Sequence, residues 1–70
     1  MRETIKDFYG KILGYIEDDI NNRKVAKNFY GKILGYYYIK EDVTKDFYGS
    51  ILSHGNILSS LIRENNNSTN

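Results

Sequence analysis

The sequence contains no cysteine, no proline and no tryptophan, and only one histidine. Without cysteine, neither disulfides nor thiolate-bound zinc can brace the fold, and a thiol nucleophile is excluded. Lack of thiols also fits a reducing compartment, so a cytoplasmic location is expected. A lone histidine, His54, cannot hold a metal or run acid–base catalysis without partners nearby. No apolar run approaches the roughly 18 residues a membrane helix needs. Met1-Arg2-Glu3-Thr4 is not followed by the apolar core of a signal peptide. Excess charge of one sign is missing too: ten basic residues against nine acidic leave a net +1. That balance argues against a nucleic-acid partner, whose binding domains carry a strongly basic patch.

Catalytic signatures are likewise missing. The acidic runs Glu17-Asp18-Asp19 and Glu41-Asp42 lack the alternating oxygen ligands, central glycine and closing glutamate of a calcium loop, and read as solvated connectors. No serine sits in a nucleophile elbow. Each Gly-x-x-x-Gly lacks the Lys-Ser/Thr of a phosphate loop. The expectation is a protein with no catalytic residues, no metal and no cofactor, hence not an enzyme. At 70 residues there is room for one domain, which buries only about 60% of the surface its unfolded chain exposes.

What is present is a repeat. Lys6-Asp7-Phe8-Tyr9-Gly10-Lys11-Ile12-Leu13-Gly14-Tyr15 recurs as Lys27-Asn28-Phe29-Tyr30-Gly31-Lys32-Ile33-Leu34-Gly35-Tyr36. With drift, it recurs again as Lys45-Asp46-Phe47-Tyr48-Gly49-Ser50-Ile51-Leu52-Ser53-His54. The copies start 21 and then 18 residues apart. Residues 1–62 form the expected single domain. The polar, asparagine-rich stretch 63–70 cannot bury apolar surface and is expected to be disordered.

Hydrophobic periodicity is ambiguous. Val25, Ala26, Phe29, Tyr30, Ile33, Leu34, Tyr37 and Tyr38 also fit a helical stripe, and a three-helix bundle is the alternative. Against it, two glycines lie inside each of the first two copies, and each costs a helix about 1 kcal/mol relative to alanine. The four-residue word Asp/Asn-Phe-Tyr-Gly decides the matter. An Asp or Asn side chain at the first turn position can accept from backbone N–H two residues on. A glycine at the fourth can take positive φ. Together they specify a type I turn closed by a glycine bulge, a common hairpin connection. The expected fold is all-β: an antiparallel meander of three repeated hairpins, with strands near 2–6, 11–17, 23–27, 32–39, 43–45 and 50–54. A short C-terminal helix follows, capped by Asn56, with Ile57, Leu58, Leu61 and Ile62 as its apolar positions.

Most of residues 4–58 resembles small bacterial proteins of unsettled function, built from Asp-x-x-Gly-x-apolar-apolar-Gly hairpin repeats. The first two copies carry that word; the third departs from it at Ser53 and His54. The resemblance implies hairpins and carries over no activity and no site residue.

The period of two along strands assigns faces. Ile12, Ile33 and Ile51 share one face with Thr4, Val25 and Val43. Leu13, Leu34 and Leu52 share the other with Ile5, Ala26 and Thr44, and Tyr15, Tyr36 and His54 are expected there too. Two substantially apolar faces call for two covers. The helix supplies one; a second copy of the chain is expected to supply the other, with a dimer favoured. Gly14 and Gly35, inside strands, mark either a bulge or a close approach by another group, such as an aromatic ring.

Ten aromatics crowd the chain, seven of them tyrosine. Phe8, Tyr9, Phe29, Tyr30, Phe47 and Tyr48 occupy central turn positions that are usually polar. Either these rings fold back to close the core, or they form a partner-binding surface. Lysines beside them (Lys6, Lys11, Lys27, Lys32, Lys45) leave open a nucleotide-like small molecule held between subunits, or a single strand of nucleic acid stacked on the rings. Tyr36, Tyr37 and Tyr38 are the candidate oligomer contact, since tyrosine joins apolar area to a polar tip. The leading expectation is a non-enzymatic interaction module that self-associates through its tyrosine-rich sheet and binds a partner through aromatic hairpin tips.

Overall fold

The computed structural model describes residues 2–19 and 22–67. It is an antiparallel meander of six strands in sequential order: β1 (Arg2–Lys6), β2 (Ile12–Asp19), β3 (Arg23–Asn28), β4 (Ile33–Tyr38), β5 (Val43–Asp46) and β6 (Ile51–His54). One helix, α1 (Leu58–Asn67), follows. The bundle alternative is excluded.

Each repeat is a hairpin because its turn word satisfies its own backbone. In the first, the Gly10 N–H donates to the Asp7 carbonyl at 3.1 Å, with Gly10 at φ +85°. Asp7 Oδ1 accepts two amides, from Tyr9 (2.8 Å) and Lys11 (2.9 Å). Asn28 and Asp46 repeat both contacts in the second and third turns. The first residue of each word thus gathers amides the turn would otherwise leave to water.

Each hairpin is also bulged at the same place. Ile5 pairs Gly14 but Lys6 pairs Ile12, so Leu13 is the extra residue. Leu34 and Leu52 are skipped in the same way opposite β3 and β5. A bulge puts two successive residues against one partner and interrupts alternation. Leu13 therefore joins Gly14, Ile5 and Ile16 on the helix side, and alternation resumes one residue out of step. This corrects the expected placement of Tyr15, Tyr36 and His54. Tyr15 pairs Thr4, Tyr36 pairs Val25 and Lys45, and His54 pairs Val43, all on the face away from the helix. The Ile, Leu, Val and Thr assignments stand.

The core lies between the sheet and α1: Ile5, Leu13, Ile16, Ala26, Leu58 and Ile62 are buried together, with Leu34, Tyr37 and Leu61 against them. The helix packs on β2, β3 and β4. It crosses above the strand glycines. A Cβ on Gly14 would lie 2.8 Å from Ile62 Cγ2, and one on Gly35 2.8 Å from Leu61 Cδ1. Both readings of these glycines hold, bulge and close approach, but the approaching groups are aliphatic rather than aromatic. Asn56 Oδ1 accepts from the Leu58 N–H (3.0 Å), the expected cap. Fully buried Thr44 anchors the helix entry: its hydroxyl donates to the Gly55 carbonyl (2.7 Å) and accepts from the Ile57 N–H (3.2 Å). The helix continues to Asn67, and Arg63 donates to the Lys6 carbonyl (3.1 Å). The boundary expected at 62 therefore falls inside a helix, and residues 68–70 lie outside the described residues. Among the described residues, no helix is long and apolar enough to cross a membrane.

Candidate functional site

Meander topology puts every odd-to-even turn at one end of the sheet, so the three aromatic words form a row. Successive tips are two strands apart, roughly 10 Å at the usual strand spacing. Within each tip the two rings meet edge to face: Phe8–Tyr9 at 5.5 Å and 84°, Phe29–Tyr30 at 5.3 Å and 85°, Phe47–Tyr48 at 5.5 Å and 83°. None of these rings closes the core. The tyrosines are 88–89% exposed. The phenylalanines differ: Phe29 and Phe47 are 53% and 58% exposed, Phe8 95%.

That difference has a local cause. Between neighbouring tips runs an open groove, and the chain makes it twice. One, of about 430 Å³, is lined by Gly10, Lys11 and Ile12 from the first hairpin and Phe29 and Tyr30 from the second, with Asn66 of the helix. The other, of about 520 Å³, is lined by Gly31 to Leu34 and by Asp46, Phe47 and Tyr48. In both, the Phe-Tyr pair of one hairpin lies beside the Gly-Lys-Ile of the hairpin before it. Among the described residues, no hairpin precedes Phe8 to wall it.

The face away from the helix is built differently. Val25 and Val43 are each 7% exposed there although no helix covers them. Cations and tyrosines close over them. The Arg2 guanidinium sits 3.7 Å from the Tyr15 ring centroid, Arg23 4.3 Å from that of Tyr36, and the Lys45 ammonium 4.8 Å from that of Tyr38. Carboxylates hold two of these cations: Asp19 pairs Arg23 (2.6 Å), and Glu17 lies 3.8 Å from Arg2 while also pairing Lys27 (2.8 Å); on the opposite, helix side of the same strands Asp18 pairs Lys24 (3.1 Å). The acidic run expected as a solvated connector is therefore the end of β2, laddered to β3. The Lys27 hydrogen bond holds the Glu17 carboxyl below its ordinary pKa, and Lys24 does the same to Asp18. Long basic side chains can lay their stems over Val25 and Val43 in this way, while Ile51 on the same face stays 58% exposed.

The three tyrosines expected to act together are divided. Tyr36 and Tyr38 lie on the cation-covered face, ring centroids 6.4 Å apart. Tyr37 turns to the helix side, packs against the core, and its hydroxyl donates to Asp42 Oδ1 at 2.5 Å. That bond keeps the proton on and raises its pKa. His54 is exposed at the edge strand. Among the described residues, no three His, Cys, Asp or Glu side chains gather as a metal site would require. In comparisons with known proteins, no family model, no curated protein and no solved structure matches this chain.

Proposed function

We propose that this chain is a non-enzymatic binding module whose working surface is the row of hairpin tips, and that its partner is a protein segment carrying apolar and acidic side chains. The observation that carries this is the triplicate exposure of Phe-Tyr pairs at one end of the sheet, where turns usually place polar residues. Large rings left in water on a chain with so small a core are a liability unless something covers them. The two grooves between tips supply concave apolar lining, and Lys11 and Lys32 on their walls favour a carboxylate beside the apolar group. Asp7, Asn28 and Asp46 each accept two amides of their own turn, which pre-organises the tips and lowers the ordering cost of binding.

The tips also bear on the two rival ligands. A nucleotide or a single strand needs open ring faces flanked by cations. Here each phenylalanine is already met by its neighbouring tyrosine, and the net charge is only +1. Affinity for a labelled oligonucleotide that falls steeply with salt would favour that rival.

The test is selection from a random peptide library displayed on phage. Wild-type protein is expected to enrich peptides that pair aromatic or aliphatic residues with Asp or Glu. Changing Tyr30 and Tyr48 to serine, with the circular dichroism spectrum unchanged, is expected to abolish their binding. Failure to enrich any peptide, or binding indifferent to both tyrosines, would overturn the proposal.

A further inference from the structure

The grooves between tips count one short at each end of the sheet. Among the described residues, the first hairpin presents Phe8-Tyr9 with no Gly-x-Ile wall before it. The third presents Gly49-Ser50-Ile51 with no Phe-Tyr pair after it. Exposure records the two missing halves. Phe8 is 95% exposed where Phe29 and Phe47 are little more than half so, and Ile51 is 58% exposed where Ile12 and Ile33 are part-buried. Leu52, 43% exposed, is the counterpart of buried Leu13. These half-sites lie at the two edges of the sheet, one in the turn that follows β1 and one on β6, and α1 packs over β2, β3 and β4 between them. Repeat arrays ordinarily close their ends with polar caps; here polar β1 is followed by exposed Phe8, and β6 exposes Ile51 and Leu52.

We infer that the occupant of each end is the opposite end of a second copy of this chain: β6 of one molecule adds to β1 of the next, head to tail. The join copies one the molecule already makes twice. In β2·β3, Gly14 pairs Asn28 and Tyr15 pairs Lys27; in β4·β5, Gly35 pairs Asp46 and Tyr36 pairs Lys45. The same register between molecules sets Ser53 against Asp7 and His54 against Lys6. Phe8 then lies beside Gly49 to Ile51, as Phe29 lies beside Gly10 to Ile12. Edge strands with unpaired backbone groups accept such additions readily. One internal contact has to yield: Arg63 holds the Lys6 carbonyl on β1, and its exposed side chain can release it. The surface is heterologous, so growth gives a ring or an open row rather than a closed two-fold dimer. This inference uses only one of the three tips and does not depend on the peptide reading: Tyr30 and Tyr48 stay exposed within each molecule.

Sedimentation velocity over a wide concentration range tests it. Wild-type protein is expected to pass through dimer to trimer and larger species as concentration rises. Phe8→Asp blocks one end and Ile51→Asp the other; both sites are exposed, and circular dichroism checks that each variant folds. Each variant alone is expected to remain monomeric. Mixed together they are expected to form a one-to-one heterodimer and nothing larger, because each retains the end the other lacks. A wild-type protein that stays monomeric up to its solubility limit, one that stops at a dimer, or a mixture that forms no heterodimer would each overturn the inference.

Discussion

Gly14→Ala sets two effects of opposite sign against each other. Neither Gly14 nor Gly35 has positive φ; the glycines that do are Gly10, Gly31, Gly49 and Gly55. On backbone conformation alone, alanine at position 14 should therefore stabilise the fold, by about 0.4–1 kcal/mol, through the restricted unfolded chain. Packing opposes this. The added methyl would lie 2.3 Å from the Lys27 carbonyl oxygen, 2.8 Å from Ile62 Cγ2 and 3.3 Å from the Asn28 Cα. Two of those three atoms belong to the backbone of β3, which is paired on both sides and cannot retreat alone. Overpacking of this kind costs about 1–3 kcal/mol and sometimes more. The net expectation is a loss of about 2 kcal/mol, which in a domain this small lowers the melting temperature by roughly 10 °C.

Thermal unfolding followed by circular dichroism measures the loss. Two companion substitutions make the mechanism visible. Gly35→Ala meets Leu61 Cδ1 and the Lys45 oxygen, both at 2.8 Å; the leucine end can swing aside, so a smaller loss is expected. Gly49→Ala meets nothing within 4 Å, and its expected loss of about 1–2 kcal/mol is conformational, from φ +90°. The order Gly14 above Gly35 in severity follows from the nearer carbonyl. A Gly14→Ala protein that melts at or above the wild-type temperature would refute the account of why glycine stands inside β2.

Other consequences can be read from single sites. Asp46→Ala removes the acceptor of the Tyr48 and Ser50 amides; urea titration is expected to show a loss of about 1–2 kcal/mol, while Asn28→Asp, which keeps the accepting oxygen, should be nearly neutral. Glu17, with its pKa depressed by Lys27, contributes stability above its unfolded pKa near 4.3 and loses it as pH falls through the lower folded value. Glu17→Gln is therefore expected to melt lower than wild type at neutral pH and to converge with it in acid; a gap that widens on acidification would contradict that sign. Arg23→Ala removes the ion pair to Asp19 and the contact with the Tyr36 ring. About 1 kcal/mol of stability should go with it, with a gain in binding of a hydrophobic dye as Val25 and Val43 open to water.

The parts of this fold that sequence reasoning reaches are those whose cause is local. The turn word contains its own acceptor and its own left-handed residue, so hairpins, tips and strand ends follow within a residue or two from positions 7, 28 and 46. Asn56 announces the helix by the same short-range chemistry. What escapes is set by pairing with a distant strand. The bulge at Leu13 exists only relative to β1, and it reverses the side on which Tyr15 falls; simple alternation carried through Gly14 puts that ring on the wrong face. Adjacent Ile12 and Leu13, both apolar at a half-buried site, were the available sign that alternation breaks there. The polar stretch after Ile62 misleads for a related reason, since its helix is held by the apolar residues before it and by Arg63 reaching back to β1.

The cation-covered face is a second case of such non-local order. Arg2 pairs Glu17 across the ladder and stacks on Tyr15, two residues away along β2. Arg23 pairs Tyr38 and stacks on Tyr36; Lys45 pairs Tyr36 and lies over Tyr38. In each case the cation lies over the diagonal neighbour, the position that long side chains reach across a pleated sheet. Once the register is known, the same rule accounts for three contacts that no property of the individual residues announces. It also explains why Val25 and Val43 stay dry in a single molecule.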